Sequence, residues 1–166
     1  MKIRQLDSRD ALEYQRIRLL SLQTDAHAFA STYEIEIEYP LSKFEQRLVS
    51  NDEKFTIGGF VEDKLVCVAT FYREPVKKLR HKGNLVAMYC HSDYRGKNIA
   101  EAVVSMVIES ASQLNGLKFI DLSVLSNNRR AVEFYSKMRF RKYATEPKAI
   151  YDNGIYYDED MMRLEI

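Results

Sequence analysis

The chain has 166 residues, with 25 lysines and arginines against 24 aspartates and glutamates. That length suits a single domain spanning residues 1–166 that buries roughly two-thirds of its unfolded surface without a disulfide framework or a metal. The near cancellation of charge removes any global field that would favour nucleic acid or an anionic membrane, so selectivity for charged ligands must be local.

Lys2 to Leu6 alternates as a short strand, and Asp7 or Ser8 then caps a helix carrying Ala11, Leu12, Tyr14, Ile17, Leu20 and Leu22. A shorter helix is expected over Leu41 to Ser50, after Pro40. Phe55 to Val61 and Leu65 to Tyr72 read as two strands joined through Glu62-Asp63-Lys64, an antiparallel hairpin. Cys67 and Cys90 lie in strand-like runs, where a free cysteine behaves as a small buried hydrophobe. Leu85 to Cys90 is a third apolar run. Beyond it Ala100, Val103, Val104, Val107, Ala111 and Leu114 recur at helical spacing, with Gly116 placed to release the helix.

Phe119 to Val124 is the next strand, and Ala131, Phe134, Tyr135 and Met138 mark one face of a further helix. The strand, helix, strand succession from Leu85 to Val124 predicts a crossover between parallel strands. Near the end, Asp152-Asn153-Gly154 between Ile150-Tyr151 and Ile155-Tyr156 signals a tight hairpin, because Asn and Gly tolerate positive φ. The expected fold class is α/β, a mixed sheet with helices on both faces. The start MKIRQLDSRD has no apolar leader, and no run of about 18 apolar residues occurs, so a cytoplasmic setting without membrane contact is expected.

Tyr94-Arg95-Gly96-Lys97-Asn98 stands between the third strand-like run and the longest helix pattern. Amides at a helix start have no intrahelical acceptor and carry the positive end of the dipole. A glycine beside two cations therefore suits a phosphate or pyrophosphate. A solvated basic turn with Asn98 as an ordinary cap explains the same residues.

The segment Tyr94-Arg95-Gly96-Lys97-Asn98-Ile99-Ala100 resembles the acetyl-CoA-binding motif Q/R-x-x-G-x-G/A of the GNAT-type N-acetyltransferases, with Asn98 in place of the second glycine. Downstream, Asn128-Arg129-Arg130-Ala131-Val132-Glu133-Phe134-Tyr135-Ser136-Lys137-Met138-Arg139-Phe140 is similar to that family's N-x-x-A-x-x-F/L-Y-x-K-x-G-F signature, with Arg139 where glycine is usual. The closing "YYDEDMMRLEI" is similar to the family's last strand. The resemblance covers most of the chain from about Phe55 onward.

It implies a GNAT-like acyltransferase fold and direct transfer of acetyl from acetyl-CoA to a primary amine of a small molecule, peptide or protein, with no metal. A noncatalytic acyl-CoA-binding regulatory domain is the alternative. A nucleotide-binding module is disfavoured by the lack of a GxxxxGK[ST] or GxGxxG pattern. The resemblance implies that backbone groups of Met88, Tyr89 and Cys90 meet the pantetheine arm, that Arg95, Gly96, Lys97, Asn98, Ile99 and Ala100 cradle the diphosphate, and that Asn128 bonds the cofactor arm. Homodimers are expected by the same analogy.

Tyr135 is the implied general acid, since a phenol keeps its proton at neutral pH and can give it to a thiolate. Packing in the stripe of residues 131, 134, 135 and 138 is the competing role. The strand before the turn has no carboxylate to act as base; Glu34, Glu36, Glu74 and Asp121 are the candidates, acting directly or through ordered water, and each is better explained as a solvated surface charge. His27, His81 and His91 show no metal-ligand spacing. The resemblance implies an acceptor groove walled by the first two helices, their connecting loop and the last hairpin: in "STYEIEIEYP", Glu34, Glu36 and Glu38 alternate with apolar residues, suiting either attraction of a cationic amine or an exposed strand or helix surface, and the tyrosines and acids of "IYDNGIYYDED" would line the same groove.

Overall fold

A computed structural model describes residues 1–166. The elements run β1 (Lys2–Gln5), α1 (Ala11–Thr24), α2 (Tyr33–Glu36), α3 (Leu41–Arg47), β2 (Lys54–Val61), β3 (Lys64–Arg73), β4 (Lys82–Cys90), α4 (Ile99–Ser112), β5 (Phe119–Leu125), α5 (Arg129–Lys137), β6 (Arg141–Asp152) and β7 (Ile155–Glu165). They form a seven-stranded sheet in the order β1-β2-β3-β4-β5-β7-β6, antiparallel except for the β4–β5 pair. The expected mixed sheet with helices on both faces is the fold observed.

Each sheet face has its own core. On one, Tyr14 and Ile17 of α1 join Phe44, Phe60, Leu65, Val68 and Tyr89. On the other, Ile99, Val103, Val104, Val107 and Ala111 of α4 meet Phe55, Ile57, Cys67, Ala69 and Phe71. The α4 helix lies so close to β2 that a Cβ on Gly59 would come within 2.8 Å of the Ile99 side chain. Here the glycine serves close approach rather than a turn.

Several sequence expectations shift in detail. Asp7 caps not α1 itself but a 3₁₀ turn before it, in a capping box with Asp10. Leu12 is 66% exposed because the buried stripe of α1 is Ala11, Tyr14, Ile17 and Ser21, which turns Leu12 to solvent. The helix expected to Ser50 stops at Arg47, and α4 stops at Ser112, ahead of Gly116. There Gln113 and Leu114 donate to carbonyls three residues back, so the last turn tightens before Gly116 takes φ of 77°.

"STYEIEIEYP" is not an acidic loop throughout. Thr32 caps the single turn α2, and Glu36 is buried between Arg18 and Arg47. The hairpin turn at Asn153-Gly154 is as expected, both residues having positive φ, but β6 reaches back to Arg141. Helical spacing and strand alternation are both weak there, which hid its length.

Candidate active site

The β4 and β5 strands pair only from Lys82 to Asn84 against Phe119 to Asp121 and then part. A β-bulge in β4 accompanies the parting: the register with β3 shifts between Val68 and Thr70, opposite Ala87, which takes φ of 52°. Left-handed backbone at a non-glycine residue costs about 1 kcal/mol or more, and such residues concentrate at functional sites. Nothing in the local sequence announces it, since alanine is not a turn residue.

Between the parted strands runs a cleft of about 270 Å³, lined mainly by apolar residues. It brings together Met88, Tyr89, Cys90, Arg95, Gly96, Ala100, Asn128 and Tyr135, drawn from β4, the turn before α4, the α5 cap and α5. Ala87, Asp25, Phe29, Ser123 and Arg130 also line it, and sequence reading did not single them out. Arg130 lay inside the quoted signature. Asp25 had no signal, because its partner Arg95 is 70 positions away in the chain.

The turn has the shape of an anion cradle. Gly96 has φ of 74° with open space where a Cβ would stand, and Asn98 at the start of α4 has φ of 61°. The amides of Gly96, Lys97, Asn98, Ile99 and Ala100 find no backbone acceptor. Asn98 makes no side-chain cap, unlike an ordinary cap residue, and instead holds the left-handed conformation that glycine would. Arg139 does the same at the other departure from glycine, with φ of 70°. Lys97, Asn98 and Ile99 do not line the cleft with their side chains: the Lys97 ammonium lies over the Tyr94 ring, and Ile99 is in the core.

The charge of Arg95 is largely committed. Its Nε donates to the Cys90 carbonyl at 2.8 Å and its Nη2 to Asp25 at 2.6 Å, while Arg130 lies 4.0 Å from the same carboxylate. The guanidinium thus ties the end of α1 to the end of β4 instead of standing free for an anion. Asn128 accepts from the Ala131 amide at 3.2 Å as the α5 cap, which leaves its NH₂ group uncommitted at the cleft wall.

Tyr135 is 8% exposed, on the cleft. Burial pushes its phenol above the ordinary value, and Cys67 adds to this, so the hydroxyl holds its proton throughout the neutral range. Stacking edge-on with Phe134 and Phe140 fixes the ring. Tyr135 is thus packed and faces the cleft at once.

None of the four candidate bases lines the cleft. Glu36 is the clearest departure, being 1% exposed and fully engaged by two arginines. Asp121 accepts both ends of the Arg163 guanidinium, and Glu74 accepts from Asn84. His27 lies 3.0 Å from Asp152 and stacks on Tyr157, so the segment after α1 does meet the last hairpin.

The model of the acetyltransferase (GNAT) family matches residues 17–140 of this chain. The chain belongs to the GNAT acetyltransferase family. Its matched segment contains both motifs, and acetyl transfer is the activity of the family.

Among solved structures, a GNAT-family acetyltransferase from Streptococcus pneumoniae is 23% identical with a TM-score of 0.88, covering 99% of each chain. A ribosomal-protein-alanine N-acetyltransferase from Brucella melitensis is 18% identical with a TM-score of 0.86, covering 100% of each. The yncA protein of Salmonella typhimurium, solved with its cofactor acetyl-CoA, is 18% identical with a TM-score of 0.80, covering 99% of this chain and 93% of that one. At these identities the likeness establishes the fold. No curated protein matches the chain. No helix is long and apolar enough to cross a membrane.

Proposed function

We propose that residues 1–166 act as one catalytic domain that moves acetyl from acetyl-CoA to the primary amine of a small molecule or peptide. The observation that carries this reading is one cleft containing both the amide cradle of the Gly96 turn and the ring of Tyr135. Free amides at the start of a 14-residue helix suit the diphosphate, and the parted β4 offers the Met88 and Cys90 positions to the pantetheine amides; the Tyr89 backbone groups turn to Val68 of β3, and the Cys90 carbonyl is taken by Arg95. Fourteen of the 20 lining residues are hydrophobic, which suits the uncharged arm between them.

In this reading the chain's residues do three things. Backbone donors of β4 face the thioester carbonyl and stabilise the negative charge that grows on its oxygen as the amine nitrogen bonds to carbon. Tyr135 gives its proton to the sulfur as the C–S bond breaks, its own pKa being too high for it to ionise beforehand. The cleft walls hold the two reactants together and keep water out. The amine enters from the side where His27 meets Asp152, between the segment after α1 and the last hairpin.

Thermal-shift titration tests donor identity: acetyl-CoA should raise the melting temperature, whereas ATP and NAD should not. Equal stabilisation by ATP would overturn the proposed donor.

A further inference from the structure

The chain has two cysteines, and the sheet sets them face to face. Cys67 of β3 is the register partner of Cys90 of β4. The flanking pair, Val66 with His91, is joined by a hydrogen bond from the His91 amide to the Val66 carbonyl at 2.9 Å. Hydrogen-bonded and non-bonded pairs alternate along an antiparallel ladder, so Cys67 and Cys90 form a non-bonded pair, with Cα atoms about 4.5 Å apart. That separation lies within the span a disulfide bridges, at its short end, where the bond is readily reduced.

The two thiols differ in access. Cys67 is wholly buried, whereas Cys90 is on the cleft wall. The neighbouring Cys67 side chain holds the Cys90 thiol below its ordinary pKa; burial opposes this, and Arg95 and Arg130 add to it, while the Cys90 thiol donates to the His91 carbonyl at 3.8 Å. The same contact and burial push Cys67 up. A low-pKa thiol reachable by a small oxidant, beside a second thiol, is the arrangement of a reversible redox site.

We propose that Cys90 is a peroxide-reactive modification site and Cys67 its resolving partner, joined on oxidation by a cross-strand disulfide in the cleft wall. The Cys90 thiolate attacks one oxygen of hydrogen peroxide, the O–O bond breaks, hydroxide departs, and the sulfur is oxidised to a sulfenic acid. Cys67 then attacks that sulfur. The S–S bond forms as the S–O bond breaks, and the Cys67 proton leaves with the hydroxyl as water. Each cysteine is oxidised by one electron overall, and peroxide accepts both.

The test is mass spectrometry of the full chain after treatment with hydrogen peroxide and alkylation of the remaining thiols. Wild type should fall about 2 Da in mass and yield a Cys67–Cys90 cross-linked peptide that dithiothreitol reverses. Cys67→Ser should trap the sulfenic acid at Cys90 as a dimedone adduct, and Cys90→Ser should react about tenfold more slowly. A wild-type chain that goes directly to irreversible acids without the cross-link overturns the proposal, independently of how either variant folds. So does a Cys90→Ser chain that reacts at the wild-type rate.

Saturating coenzyme A should slow cross-linking about tenfold by covering Cys90. This arm rests on the proposed donor site. Undiminished cross-linking with coenzyme A bound, as judged by thermal shift, rules out the cleft as the peroxide's route. Cross-linking in a chain that coenzyme A fails to stabilise supports the thiol pair and counts against the donor reading instead.

Discussion

Glu36, Glu53 and Asp25 each stand near two arginines, and the settings of Glu36 and Asp25 differ in burial. Glu36 accepts from Arg18 at 2.8 Å and from Arg47 at 2.7 Å, with its side chain 1% exposed. Asp25 accepts from Arg95 at 2.6 Å and faces Arg130 at 4.0 Å, with 28% of its side chain open to the cleft. The first cluster is sealed between α1, α2 and α3. The second sits on the wall of the cleft, where the same chemistry links the end of α1 to the anion turn. Burial decides the role: removing one partner of a sealed ion pair strands a charge, whereas an open pair is screened and replaceable.

The largest expected effect is therefore structural. Glu36→Ala strands two guanidinium groups and should lower stability by about 4 kcal/mol, read as a melting temperature about 10 °C lower. A change as small as that of Asp25→Asn would erase the contrast.

Tyr135→Phe should reduce kcat about 10²-fold, some 2.7 kcal/mol of barrier, while acetyl-CoA still raises the melting temperature. Unchanged kcat would leave Tyr135 as core packing alone.

Acid sensitivity sharpens the contrast further. Burial alone would raise the pKa of Glu36, but the hydrogen bonds from Arg18 and Arg47 outweigh it and hold the group at about 2, against an ordinary 4.5. Its folded pKa is depressed, so its stabilisation is complete above about pH 5 and is lost as pH falls toward 2. Urea unfolding across that range should show wild type losing stability more steeply than Glu36→Gln. Parallel slopes would contradict the assignment.

The smallest effect belongs to Asp25→Asn. It should cost at most about 1 kcal/mol of stability, since the pair is partly exposed, yet it should alter the KM for acetyl-CoA several-fold by releasing Arg95. A stability loss matching that of Glu36→Ala, with KM unmoved, would make the two clusters equivalent.

This difference was invisible in the sequence for a physical reason. The acids of "STYEIEIEYP" alternate as they would on a solvated strand, and only the single turn of α2 rotates Glu36 inward to arginines 18 positions before and 11 after it. Local pattern was informative wherever local chemistry determines the structure. The Val103, Val104, Val107 and Ala111 stripe marked α4, and Asn153-Gly154 marked the last turn. The two motifs placed Gly96, Asn128 and Tyr135, and the structure brings all three to one cleft. What stayed hidden depends on long-range pairing: the bulge at Ala87 arises from register with β3, and the Asp25–Arg95 contact from the packing of α1 beside β4.

The central claim is that backbone amides at the start of α4 hold the diphosphate of the donor. Titrating acetyl-CoA into ¹⁵N-labelled protein and following the amide resonances of Gly96 through Ala100 tests it most directly. Those amides should show the largest shifts, saturating together with the rise in melting temperature. If they stay fixed while resonances elsewhere on the sheet move, the donor binds at another place and the proposed roles of the Gly96 turn and of Tyr135 fail together.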